Sequence, residues 1–214
     1  SVAFEFLLGL GLALAVRTGL RRNLPGFPLL RVLVLAPLLV APLLWAFYSF
    51  FMGTLEIVQT FVAQHTGARQ PDRAARYGTA GLHAAVACSL VLAPLAFVGS
   101  GMFEGLGIAA DMVPAATTYW AIRIVGTAPL FLSRVQECYF RGIGDTMTPM
   151  VVALVANALN VVLDAAFVLG YAPLGIPPLG VAGLAWATVI ATALQWILLG
   201  LVSEARRIRG LGAP

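Results

Sequence analysis

The stretch that decides the fold is RGIGDTMTPMVVALVANALNVVLD, residues Arg141–Asp164. A charged glycine turn leads into a long apolar segment, which carries Pro149 near its beginning and then Asn157, Asn160 and Asp164. Proline is tolerated in the first turn of a helix, so the segment predicts an apolar helix that begins just before Pro149. An acid inside a lipid-spanning helix is costly and usually serves a function, which makes Asp164 the first candidate site residue.

The composition predicts lipid as the solvent around this helix and its neighbours. Apolar residues make up 60% of the chain, charged residues only 10%, and the mean hydropathy is +0.93. These values are typical of a polytopic membrane protein rather than of a water-soluble domain. Lipid offers the backbone no hydrogen-bond partner, and the apolar runs lack the period-2 alternation of a β-barrel. We therefore expect an all-α polytopic membrane protein.

A hydrocarbon layer of about 30 Å takes about 20 helical residues to cross, and six segments fit such spans. Residues 1–27 are expected to hold a truncated or poorly matched first helix, because its apolar part, Val2–Val16, is short. Helices two to six are predicted within residues 28–205, and residues 206–214 form a basic cytoplasmic tail. The expected bounds of these five spans are Leu33–His65, Gly78–Val98, Val113–Phe140, Met147–Gly170 and Val181–Val202. We expect a loosened fourth span near Gly126 and Pro129 and tight packing by the small residues 180–185.

The arginines predict the orientation, because short basic loops stay cytoplasmic. Three arginines follow the second span, one follows the fourth and three follow the sixth, namely Arg69, Arg73, Arg76, Arg141, Arg206, Arg207 and Arg209. This pattern puts the tail inside the cell. It would also put Arg17, Arg21 and Arg22 outside, so the first stretch either does not span or differs from the sequence with which the other spans evolved. The scattered arginines do not form the basic stripe of a nucleic-acid partner.

The polar residues of the fifth span lie on one helical face, since Asn157 and Asn160 precede Asp164 by seven and four residues. Asp164 should lie about 22 Å from the cytoplasmic end. Such a face should meet a cavity or another helix. Desolvation and nearby amides act in opposite directions on the carboxylate, which suits a group that loads a proton or holds Na⁺. The alternative is an Asp that only caps a packing network.

Other polar residues within the spans allow two interpretations. Glu56 and Gln59 stand three residues apart on one helical face and predict either a polar cavity lining or a pair satisfied by neighbouring helices. Arg134 and Arg141 are at helical pairing distance from Glu137 and should neutralise it near the cytoplasmic rim. The histidines and cysteines predict neither a metal site nor a disulfide, since His65, His83, Cys88 and Cys138 show no ligand spacing.

From Leu33 to Val202 the sequence resembles the amino-terminal half of the multidrug and toxic compound extrusion (MATE) family. The agreement rests on the order and spacing of Tyr119, Arg123, Pro129, Arg141, Gly142, Gly144, Asp145, Thr146, Pro149, Asn160, Leu163, Asp164, Gly170, Gly180, Val181, Ala182, Gly183, Ala185, Ala187 and Thr188. The end of the second span is similar as well, through Met52, Gly53, Thr60, Gln64, Gly67 and Ala68.

The resemblance implies a six-helix lobe of a twelve-helix antiporter, which exports amphipathic, often cationic compounds in exchange for Na⁺ or H⁺. It implies a multi-pass protein of a prokaryotic cytoplasmic membrane that meets lipid and a small organic substrate and has no cofactor beyond the coupling ion. Asn160 and Asp164 match the family's cation site, and Asn157, Glu56, Gln59 and Arg123 are candidates for cavity lining. The family site also uses an Asp of the first helix, and no Asp precedes Asp72 here.

Several alternatives stay open at the level of sequence. The simplest expectation is a fragment of a longer transporter that lacks its second six-helix lobe, with a homodimer of half-transporters as the other possibility. A lipid-linked oligosaccharide flippase would need more cavity cations than Arg123 and Arg134 to meet a pyrophosphate. An inactive or purely structural membrane fragment is a further alternative. An enzyme is not expected, because Asp164 has no metal-binding or catalytic companion nearby in sequence.

Overall fold

A computed structural model describes residues 27–170, 175 and 177–208, and the backbone within these ranges is almost entirely helical. The helices are α1 (Phe27–Gly67), α2 (Pro71–Leu92), α3 (Gly99–Gly105), α4 (Val113–Val125), α5 (Thr127–Gly142), α6 (Met147–Leu169) and α7 (Val181–Ile208), with a 3₁₀ turn at Ala93–Phe97. The predicted all-α fold is confirmed. The predictions for the first helix lie outside the described residues.

Four of these helical segments are long and apolar enough to cross a membrane, namely Leu35–Gly67, Pro71–Phe97, Met147–Leu169 and Val181–Arg206. Their outer faces carry large apolar side chains: Leu154 and Val161 of α6, for example, are 70% and 68% exposed. Such faces suit lipid rather than water. The chain is therefore a multi-pass membrane protein.

The predicted fourth span, Val113–Phe140, is interrupted where it was expected to be loosened, because α4 ends at Val125 and α5 begins at Thr127. The break falls at Gly126, whose ψ of 2° leaves the helical range. Thr127 donates its hydroxyl to the carbonyl of Ile124 at 2.7 Å, which satisfies an acceptor that the break exposes. Pro129 lies within the first turn of α5, where a missing amide costs little. The interruption therefore occurs at the glycine, and the new helix begins early enough to hold Pro129 in its first turn.

The predicted bounds of the third span were also wrong. The helix begins at Pro71 rather than Gly78, so Arg73 and Arg76, which were assigned to a loop, occupy its first two turns. Pro71 suits a helix start because its missing amide is one that no helix would satisfy. The connection after this span was predicted as a loop but contains the short helix α3.

The helices pack around two centres. In the first, α1, α2, α4 and α5 bury aromatic side chains, and Trp120 of α4 is almost fully buried there and donates its indole N–H to the carbonyl of Leu95 at 2.7 Å. In the second, α6 lies along α7. A Cβ added to Gly183 of α7 would come within 2.8 Å of the carbonyl oxygen of Phe167. The predicted tight packing by small residues is confirmed at this position, and it supports the α6 backbone one turn from Asp164.

One end of the bundle collects the arginine-bearing connections. Thr66 at the end of α1, Asp145 in the α5–α6 turn and Arg206 near the end of α7 line one cavity of about 610 Å³. We call this the arginine-rich end, defined by the α1–α2 turn, the α5–α6 turn and Arg206. The arginine pattern of the sequence predicts that this end faces the cytoplasm, and this orientation stays a prediction.

Candidate cation site

Asn160 and Asp164 lie one turn apart on α6, and both side chains are half-buried. The amide nitrogen Nδ2 of Asn160 donates to the carboxylate oxygen Oδ2 of Asp164 at 3.4 Å. The amide oxygen Oδ1 of Asn160 and the second carboxylate oxygen of Asp164, also Oδ1, are buried without a hydrogen-bond partner among the described residues. Buried polar oxygens are costly unless a donor or a cation satisfies them. The pair therefore presents two unsatisfied oxygens at one point of the helix.

Carboxylate and amide oxygens are hard donors, which suit a proton or an alkali cation better than a soft transition metal. In the described part of the chain, no group of three or more His, Cys, Asp or Glu side chains lies close enough to hold a metal ion. A Na⁺ ion at this pair would thus take its remaining ligands from other oxygens. The side chains present fit either coupling ion.

The neighbourhood of Asp164 reaches across to α4 through Tyr119. This largely buried tyrosine lies within electrostatic range of both Asp164 and Arg123. Arg123 is held in place from α1, where Tyr48 donates its hydroxyl to the Arg123 carbonyl at 3.0 Å. The guanidinium nitrogen Nε of Arg123 is buried without a partner among the described residues. Sequence spacing pointed to Asn160 and Asp164, but it did not place Tyr119 beside them.

Asn157, the third residue of the predicted polar stripe, has a different environment. It is exposed, whereas Asn160 and Asp164 are half-buried. The structure therefore brings together two members of the stripe, and the third lies on the surface of the described helices. Asn157 remains a candidate for lining a path rather than for holding the ion.

A second polar site lies between α1, α5 and α7 in a cavity of about 400 Å³. Its wall includes Glu56, Arg134, Glu137 and Gln195. Arg134 pairs with Glu56 and also donates to Glu137 at 3.1 Å. Glu137 accepts from Arg141 at 3.3 Å and from Gln195 Nε2 at 2.5 Å as well. The predicted pairing of Glu137 with both arginines is confirmed.

Two further predicted cavity residues do not belong to this wall. Gln59 is not among its lining residues. The backbone carbonyl of Gln59 packs against Gly142, since a Cβ added to that glycine would lie 3.0 Å from the carbonyl oxygen. Arg123 lies near Tyr119 rather than in the cavity. The links from Glu56 to Arg134 and from Gln195 to Glu137 escaped sequence reasoning because they join residues 78 and 58 positions apart. Their only signal was the rarity of such side chains within apolar helices.

The sequence profile of the MatE family matches residues 36–166, which is more than half of the chain. The chain belongs to the MatE family. The matched region runs from α1 to two residues beyond Asp164, so it includes Asn160 and Asp164. It also includes every lining residue except Gln195 of the cavity between α1, α5 and α7, which we call the α1–α5 cavity. The candidate cation pair and most of the second polar site therefore lie on the part of the chain that the family shares.

Several curated relatives of the chain are named for multidrug resistance. A probable multidrug resistance protein NorM of Bacillus cereus is 26% identical over 148 residues, which cover 69% of this chain and 32% of the relative. A probable multidrug resistance protein YoeA of Bacillus subtilis is 26% identical over 175 residues, with coverages of 78% and 36%. A NorM of Thermotoga maritima is 34% identical over 100 residues, with coverages of 47% and 21%. This chain spans about a third of the length of the first two relatives.

The fold is also similar to a solved structure. A multidrug resistance MATE family transporter of the MOP superfamily, in an inward-facing conformation, superposes with a TM-score of 0.71 over 80% of this chain and 38% of that one. The sequence identity is 21%, so the likeness concerns the fold. The described MatE helices thus have the arrangement of part of a MATE transporter, as expected for one lobe.

Proposed function

We propose that the chain forms the amino-terminal lobe of a secondary antiporter that exports drug-like amphipathic compounds in exchange for Na⁺ or H⁺. Asp164 and Asn160 are the cation-coupling pair in this proposal. The observation that carries it is the pair of buried, unpartnered Oδ1 atoms on neighbouring turns of an apolar helix. The multidrug-resistance names of the relatives support the substrate class, and the family's prokaryotic members support a cytoplasmic membrane.

The coupling follows from differential affinity. A cation that binds one conformation more tightly than the other shifts the equilibrium between them, and a gradient of that cation then gives the cycle a direction. A proton or Na⁺ at Asp164 neutralises the carboxylate and satisfies its free oxygen. Tyr119 of α4 lies within electrostatic range of this carboxylate, so the field at Tyr119 changes when the ion binds. A second six-helix lobe would complete the path for substrate between the two lobes.

The α1–α5 cavity does not favour the flippase alternative. A pyrophosphate would need free cations, yet Arg134, which lines this cavity, pairs with Glu56 and Glu137, and Arg141 pairs with Glu137 from outside the wall. Paired charges of this kind are nearly neutral as a group. They suit an amphipathic organic molecule better than a polyanion.

The test is gradient-driven ethidium efflux by the complete transporter in membrane vesicles, with Na⁺ and H⁺ gradients imposed separately. We expect Asp164→Asn to reduce efflux to the rate measured without a gradient, because the amide can neither load a proton nor neutralise Na⁺. Asn160→Ala should shift the half-saturating cation concentration upward, since it removes one of the two free oxygens.

Matched controls exist for both variants. Asp72→Asn removes an exposed acid in the first turn of α2, and Asn157→Ala removes an exposed amide one turn from Asn160. Both controls should keep the wild-type half-saturating cation concentration, because neither removes an oxygen of the Asn160–Asp164 pair. Undiminished coupled efflux in Asp164→Asn, at wild-type protein levels, would contradict the assignment of the site.

A further inference from the structure

A third polar surface lies outside both sites, at the arginine-rich end between the last turns of α1 and the first turns of α2. Its cavity of about 370 Å³ is lined by His65 of α1 and by Arg73, Arg76, Tyr77 and Ala80 of α2. The four α2 residues follow one another at spacings of three, one and three positions, so they share one face of the helix.

The two arginines of this cavity differ from the arginines that form ion pairs elsewhere in the described helices. Arg134, Arg141 and Arg206 each pair with a carboxylate, whereas Arg73 and Arg76 are exposed and form no ion pair within the described ranges. Asp72 is adjacent to Arg73 in sequence but does not line the cavity. Two guanidinium groups one turn apart thus present ten N–H donors to one ligand, and this arrangement favours a phosphate.

Aromatic rings form the floor beside the arginines. The ring of Tyr77 stacks on Phe61 at 4.8 Å and on His65 at 5.0 Å, with interplanar angles of 9° and 13°. His65 is fixed further by a contact of 3.2 Å between its Nδ1 and Gln70 Oε1. Tyrosine and histidine side chains combine an apolar body with a polar tip, which suits the level of lipid headgroups.

The surface continues from the cavity along α2 as a small-residue strip. Ala84, Ala87 and Val91 follow Ala80 on the same face and are all exposed, and His83 also lies there. Ile57, half-exposed on α1, lies one turn from Phe61 toward the membrane interior. Two cations therefore stand at the head of an apolar surface that is long enough for an acyl chain.

We propose that this surface binds an anionic phospholipid of the cytoplasmic leaflet, with its phosphate between Arg73 and Arg76 and its chains along the α2 strip. The bound phosphate receives donors from both guanidinium groups, and the stacked Tyr77 lies at the boundary between headgroup and chains. The adjoining apolar strip favours a lipid over a soluble phosphate, which would leave that strip uncovered. This inference is independent of the proposed transport activity.

The test is native mass spectrometry of the detergent-purified chain titrated with phosphatidylglycerol, with phosphatidylcholine as the uncharged comparison. We expect Arg76→Gln and Arg73→Gln each to weaken the first bound phosphatidylglycerol about fivefold, the effect of one surface cation near an anionic headgroup. Arg76→Lys should keep most of the affinity. Tyr77→Leu should weaken phosphatidylglycerol binding as well. If a glutamine variant fails to fold, Tyr77→Leu takes its place in the comparison with wild type.

Arg69→Gln is the matched control, because it removes one positive charge from the same end of the bundle but lies outside the cavity wall. Its affinity for phosphatidylglycerol should stay within about twofold of wild type. An equal loss of phosphatidylglycerol affinity in Arg69→Gln would mean that general surface charge causes the effect, and it would overturn the proposed site. Equal affinity for phosphatidylcholine, or displacement of the lipid by glycerol 3-phosphate at the same concentration, would overturn it too.

Discussion

Asp145, in the turn between α5 and α6, ties three parts of the chain together. It accepts hydrogen bonds from the amide of Thr148 at 3.0 Å and from the Thr148 hydroxyl at 2.6 Å, and it forms an ion pair with Arg206 of α7. Arg206 also lies over the ring of Phe140, 5.3 Å from its centre. Partial burial would raise the pKa of Asp145, but the bonds from Thr148 and Arg206 outweigh it and lower the pKa to about 2.

A depressed carboxylate pKa stabilises the folded state above the unfolded value, and the contribution is lost as the pH falls through the folded value. We therefore expect Arg206→Gln to lower the apparent melting temperature in detergent by about 2–4 °C at neutral pH, as for a loss of about 1 kcal/mol. The difference from wild type should shrink as the pH falls below 4 toward 2. Arg69→Gln, which has no ion pair among the described residues, is the control; an equal shift there would exclude the Asp145 pair as the cause.

At the scale of residues, the sequence predicted the side-chain pairs that lie within one helix. Asn160 with Asp164, and Glu137 with Arg134 and Arg141, are separated by three or four positions, and helical geometry alone brings such residues together. The ion pair of Glu56 with Arg134 and the hydrogen bond of Gln195 with Glu137 depend on how separate helices cross. No local spacing encodes that, and so the surroundings of the candidate site had to come from the structure.

At the scale of helices, apolar length predicted which segments span, but it predicted their ends poorly. The start of α2 at Pro71 was missed because the arginines there read as loop residues, although long cationic side chains extend readily from a helix toward water. The sequence predicted a kink near Gly126, whereas the structure has two separate helices, one that ends before Gly126 and one that begins after it. An added Cβ at Gly126 would lie 2.3 Å from Val189 of α7, so tertiary packing as well as local flexibility selects glycine there.

Gly183 makes the packing of α7 on α6 testable. We expect Gly183→Ala to lower the free energy of unfolding in detergent by about 1–3 kcal/mol, because the new methyl group would overlap the Phe167 carbonyl and force the helices apart. The matched control is Gly53→Ala in α1, where nothing lies within 4 Å of the added carbon. There the better helix propensity of alanine should raise the stability by up to about 1 kcal/mol. Equal changes of the same sign in both variants would contradict the close approach.

At the scale of the whole molecule, the described helices have two chemically different ends. The 22-residue α2 separates the α1–α2 turn from α3, and at 1.5 Å per residue this distance is about 33 Å, close to the thickness of a bilayer core. The first of these ends holds Arg69, Arg73, Arg76, Arg141 and Arg206, while the connection that includes α3 carries only the acids Glu104 and Asp111 as charges. The membrane depth of both proposed sites follows from this orientation. It puts Asp164 in the outer half of the membrane, and it puts Arg73 and Arg76 in the cytoplasmic leaflet.

The orientation predicts the side from which each end can be labelled. Ala68→Cys places a thiol in the exposed α1–α2 turn, and Gly105→Cys places one in the exposed end of α3. With a membrane-impermeant maleimide, we expect Ala68→Cys to react in inside-out vesicles and Gly105→Cys in right-side-out vesicles, because the positively charged connections stay on the cytoplasmic side. The parent chain is the control for Cys88 and Cys138, which are half-buried and buried free thiols within helices. Labelling of both variants from the same side would mean that α2 does not cross the membrane, and labelling from exchanged sides would move Asp164 to the cytoplasmic half and the lipid surface to the outer leaflet.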